Sequence, residues 1–249
     1  MKKIKNYLII ALLLWLLFCI ITSCNGTAPQ NQNSVVAFYV KDVTASSNNE
    51  AHPLDLNAQK LNRFFGLDTD PMASVTYSQS LITEVHLNKI HSVELAPADP
   101  NNFNKFKRKN AIKQFLANVD TAVKTFEDVD YGRTSSSIFI PVAKSINTLA
   151  RTGAKRQLLI INSDLFENTF ILSKYDPAQM QKIEELPKFL HEVLDRETPI
   201  KNRLDRMKIY IIHQPDDTTD KDFYIISNSY KSWLESKGAQ VEIMASLQL

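Results

Sequence analysis

Residues 34–46 read SVVAFYVKDVTAS, and this stretch decides how the rest of the chain is read. Val35, Val36, Ala37, Phe38, Tyr39 and Val40 form an apolar run rich in β-branched and aromatic side chains. Near-continuous apolar character marks a strand buried on both faces, as in a parallel sheet covered by helices. The run stops at Lys41, and Asp42, Thr44 and Ser46 follow at alternate positions. Oxygen-bearing side chains therefore stand just past the carboxyl end of an expected central strand, where open α/β sheets form ligand sites. Two readings fit them. They are hard oxygen ligands for Mg2+ or another divalent cation, or they cap and turn the chain ahead of the next helix.

Outward from this strand, residues 157–162 hold Leu158, Leu159, Ile160 and Ile161, and residues 208–213 read KIYIIH. Both predict buried strands, and 240–245 predicts a last one. Residues 73–82 and 84–95 alternate as neighbouring strands, one of them an antiparallel edge. Helices are predicted over 55–66, stopped by Gly66, over 102–128, and over 138–149 with Pro141 in its first turn. Asp176 and Pro177 open a further helix to about residue 195, with a kink at Pro187. The last helix spans 221–237 and stops at Gly238. The basic run 105–109 reads as the solvated face of its helix. The alternation of elements predicts an α/β fold in one domain, 34–249: a doubly wound, mostly parallel sheet with one antiparallel edge strand and helices on both faces.

The amino terminus has another character. Lys2, Lys3 and Lys5 precede an unbroken apolar run over residues 7–21, short for a membrane span and right for a secretory leader. Ile21, Thr22, Ser23 and Cys24 follow, which resembles a bacterial lipobox. Residues 1–23 then form a lipoprotein signal peptide and Cys24 carries the lipid. The polar residues 24–33 are a tether, and the protein sits on the bacterial cell envelope, at a periplasmic or outer face. An uncleaved anchor and an ordinary signal peptide are the alternatives. The other cysteine, Cys19, lies inside the apolar run, so the domain has no thiol chemistry and no disulfide.

The chain of 249 residues carries 29 Lys+Arg against 27 Asp+Glu, a net charge of +2. The leader lysines account for that excess, so the remainder is close to neutral and lacks the basic balance of a nucleic-acid binder. Only five glycines are present and no Gly-rich phosphate loop, which argues against a nucleotide ligand. His52, His86, His91, His191 and His213 are scattered, and no pair has metal-ligand spacing. Ser135, Ser136 and Ser137 lack the setting of a hydrolase nucleophile.

Three oxygen-rich segments remain: Asp42, Thr44 and Ser46; Thr134 and Ser135 before the helix at 138; and Asp164 after the strand at 157–162. In this order they resemble the metal-ion-dependent adhesion site of von Willebrand factor A-like domains. That family has Asp-x-Ser-x-Ser after its first strand, a Thr in a Gly-containing loop, and an Asp after its fourth strand. Here Thr44 replaces the first Ser, Gly132 precedes Thr134, and Leu165 stands where the Asp is commonly followed by Gly. The resemblance implies a divalent cation, Mg2+ by preference, held by Asp42, Thr44, Ser46, Thr134, Ser135 and Asp164. It implies an open position that takes a carboxylate from a protein partner, and hence a binding module and not an enzyme. A metal-dependent envelope hydrolase and a scaffold with a degenerate metal site are the alternatives.

Overall fold

A computed structural model of the chain describes residues 34–43, 57–83, 86–127, 137–213 and 220–247. The apolar run is β1, Ser34–Asp42, and it is hydrogen-bonded on both sides. It runs parallel to β2, Ser74–Thr83, on one side and to β4, Arg156–Asn162, on the other. β3, His86–Leu95, returns antiparallel on β2. β5, Met207–Ile212, and β6, Gln240–Met244, extend the sheet in parallel, giving the order β3-β2-β1-β4-β5-β6. This is the mixed sheet expected from the sequence, with its antiparallel strand at one edge.

The two faces of β1 feed two cores. Val35, Ala37 and Tyr39 pack with α1, Ala58–Phe64, and α2, Lys105–Glu127. Val40, with Val36 and Phe38 beside it, faces the second core. That core is built with α3, Phe139–Arg151, α5, Pro187–Glu197, and α6, Asp220–Ser236. Helices thus cover both sides, so the central strands β1, β4 and β5 carry near-continuous apolar runs, while β2 and β6 alternate. The described residues all belong to one compact unit, Gln32–Leu249.

Local chemistry explains the element ends. Asn57 caps α1 by accepting from the amides of Gln59 and Lys60 at 3.1 and 2.9 Å. The chain leaves α1 through Gly66 at φ 69°, and a Cβ there would stand 2.3 Å from the Arg156 guanidinium. That guanidinium donates to the carbonyls of Phe64 and Phe65, so the glycine is needed for both its conformation and the close approach.

Two expectations are corrected. The helix predicted from Pro177 to about residue 195 with a kink is two helices: α4, Pro177–Glu185, ends and α5 restarts at Pro187. Pro187 has no amide to continue the ladder and pushes Leu186 out of the helical region, to φ −131° and ψ 76°. The run 105–109 is not uniformly solvated. Arg108 is 9% exposed, and its guanidinium donates to the carbonyls of Pro71, Ala96 and Ala73. Lys105, Lys107 and Lys109 are exposed, as expected.

Candidate functional site

The carboxyl ends of β1 and β4 lie side by side. Lys41 pairs with Asn162 across these strands, so the next residues, Asp42 and Ser163, stand level. Asp42 is 1% exposed and its Oδ2 accepts from the Ser163 hydroxyl at 2.9 Å. The same Ser163 oxygen accepts from the Leu165 amide at 2.9 Å. Asp164 is fully buried and its Oδ1 accepts from the Phe166 amide at 2.8 Å, closing an Asx turn. Asp42 and Asp164 thus both stand at the carboxyl ends of adjacent parallel strands. Ser163 ties the Asp42 carboxylate to the backbone of the Asp164 loop at Leu165, and sequence reasoning gave it no role. Its register opposite Asp42 was the available signal.

Leu165 shows how the loop keeps its shape without the glycine that the resemblance expects. It sits at φ 60°, the left-handed conformation a glycine adopts freely, and its side chain is wholly buried. Burial among the second core's apolar side chains offsets the backbone strain.

The loop is also fastened to α3. Glu167 is 2% exposed, and its Oε2 accepts from the amides of Ile138 and Phe139 at 2.6 and 3.0 Å. No nearer side chain caps this helix, so an acid from the Asp164 loop does so from a distance. Burial raises the Glu167 carboxyl above its usual range, against the lowering by the Phe139 and Ile138 amides and the Ser137 and Thr169 hydroxyls. On the other flank, Lys174 lies 3.6 Å from the centre of the Phe166 ring and 3.7 Å from Asp222 of α6. The Asp164 loop is thus held between two helices.

Thr44, Ser46, Thr134, Ser135 and Cys24 lie outside the described residues. Among the described residues no group of three or more His, Cys, Asp or Glu side chains is arranged around a common metal position. His213 directly follows β5 and is buried with its ring 4.6 Å from that of Phe223. Of the residues expected to hold a cation, only Asp42 and Asp164 are described, and hard carboxylate oxygens are the donor type that Mg2+ would take.

No protein-family model matches the chain, and no curated protein sequence matches it. The likeness to von Willebrand factor A-like domains rests on the order of the short motifs.

Proposed function

We propose that the chain is a lipid-anchored protein of the bacterial envelope whose domain binds a protein partner through a divalent cation at the carboxyl edge of its sheet. The observation that carries this reading is the pair Asp42 and Asp164. Both are buried at the ends of adjacent parallel strands, where a doubly wound sheet forms its ligand sites. Each carboxylate already accepts a hydrogen bond from the loop after β4, and a hard cation would add to what holds these charges in the interior. Thr44, Ser46, Thr134 and Ser135 supply neutral hydroxyl donors in this reading. The partner supplies a carboxylate to a remaining position on the metal.

The test is metal-dependent capture of envelope proteins by the wild-type chain and by Asp42→Ala. Capture is expected with Mg2+, and is expected to fall on chelation and with the substitution. Capture that survives both chelation and Asp42→Ala would sink the cation-bridged reading.

A further inference from the structure

The amino end of the sheet, opposite the candidate cation site, carries a basic and aromatic face. Arg108 fixes its place, because its three acceptors are the carbonyls just before β2 and just after β3. Ser74, the first residue of β2, pairs with Ser34, the first residue of β1. The start of α2 therefore lies at the end of the sheet where the chain enters the domain. Phe103 and Phe106 are 45% and 74% exposed there. Lys105, Lys107 and Lys109 are exposed around them, and Lys113 follows on the Phe106 stripe of the helix. Residues 101–119 contain no acid. Lys155 and Arg206, exposed just before β4 and β5, extend the positive charge along the same end; its acids are Asp68, Asp70, Glu94 and Asp99, and Asp205, which pairs with Arg203.

We propose that this end docks on an anionic lipid surface, with Phe103 and Phe106 entering the headgroup layer and the lysines pairing with lipid phosphates. The proposal rests on the reading of Cys24 as a lipid anchor. From Cys24 to Ser34 the chain spans at most about 35 Å when extended, and about 17 Å as a flexible coil. An anchor there keeps the entry end of the domain within reach of the bilayer. The face nearest the anchor has the composition that membrane surfaces recognise, lysine around exposed aromatics. In this orientation the Asp42 end points away from the membrane, by the length of β1, about 26 Å, where a partner has access to it.

The test uses the whole chain reconstituted into vesicles of phosphatidylcholine, with or without phosphatidylglycerol. Lysine acetylation is read residue by residue. Lys105, Lys107, Lys109 and Lys113 are expected to react about threefold more slowly on the anionic vesicles, with Lys182 and Lys221 unchanged. Salt at about 0.5 M is expected to erase the difference by screening. The variant Phe106→Ser, Lys105→Gln, Lys109→Gln alters exposed side chains only, and is expected to lose the slowing at Lys107 and Lys113. Equal rates on both vesicles overturn the docking proposal and leave this face to an acidic protein. The mass of the peptide bearing Cys24 reports the anchor separately. A Cys24 without lipid refutes the anchor reading, and slowed lysines in that same sample still support docking.

Discussion

Glu167 has no local sequence signal, yet it joins the Asp164 loop to the first turn of α3. Its raised carboxyl gives a testable pH dependence. A carboxyl raised on folding favours the folded state in its protonated form. That contribution is complete below the unfolded value, about 4.3, and is lost as pH rises through the higher folded value. In Glu167→Gln an amide oxygen still accepts from Ile138 and Phe139 without a charge to bury. Thermal melts from about pH 4 to about pH 8 should show the variant gaining on wild type as pH rises. A constant difference across that range would contradict the assignment. Tyr230 gives a second prediction. Its ring packs against Phe139 and Trp233, and its hydroxyl is buried with no hydrogen-bond partner among the described residues. Tyr230→Phe removes a desolvated donor and should stabilise by about 1 kcal/mol, read as a higher denaturation midpoint. At this scale the sequence was informative where a residue's role follows from its neighbours in the chain. Asp42 and Asp164 were legible because an apolar strand stops beside each of them. Glu167, Ser163 and Arg108 were not, because their partners lie far away in sequence.

Among elements, α2 depends on Arg108 more than its exposed charges suggest. The guanidinium fork meets three carbonyls that the ends of β2 and β3 leave outside the ladder, and binds the helix start to both strands. Lysine has one ammonium in place of the planar fork and cannot reach all three. Arg108→Lys should therefore cost about 2–3 kcal/mol through carbonyls left without partners, while Lys107→Gln, on the exposed side, should cost little. Chemical denaturation of the two variants checks the contrast, and equal small losses would show that the fork is dispensable. A run of basic residues does not reveal this: read as one solvated face, it hides that Arg108 turns inward to carbonyls about 12 to 37 residues away in sequence. The break at Pro187 had the opposite status. The proline announced an interruption, and only the packing of both segments on the sheet shows that the chain restarts as a new helix.

In the whole molecule, Lys105, Lys109, Lys155 and Arg206 stand exposed at the entry end, while the buried acids Asp42, Asp164 and Glu167 lie at the carboxyl end. The alternation of elements predicted a doubly wound sheet, and the observed strand order, with β1 beside β4, is what places the two aspartates on adjacent strand ends. A cation held by the buried carboxylates there would couple its binding to the stability of the entire sheet. A cation at a hundred times its dissociation constant adds about 2.7 kcal/mol to the folded state, about 5–10 °C of melting temperature for a domain of this size. Mg2+ should raise the melting temperature of the wild-type chain by that amount. Asp42→Asn keeps an oxygen that accepts from Ser163, so the local hydrogen bond survives while the charge is lost. That variant, and Asp164→Asn with its oxygen still facing the Phe166 amide, should melt cooperatively and show no rise with Mg2+. If Mg2+, Mn2+ and Ca2+ all leave the wild-type melting temperature unmoved, the paired aspartates serve the turn and the strand ends alone.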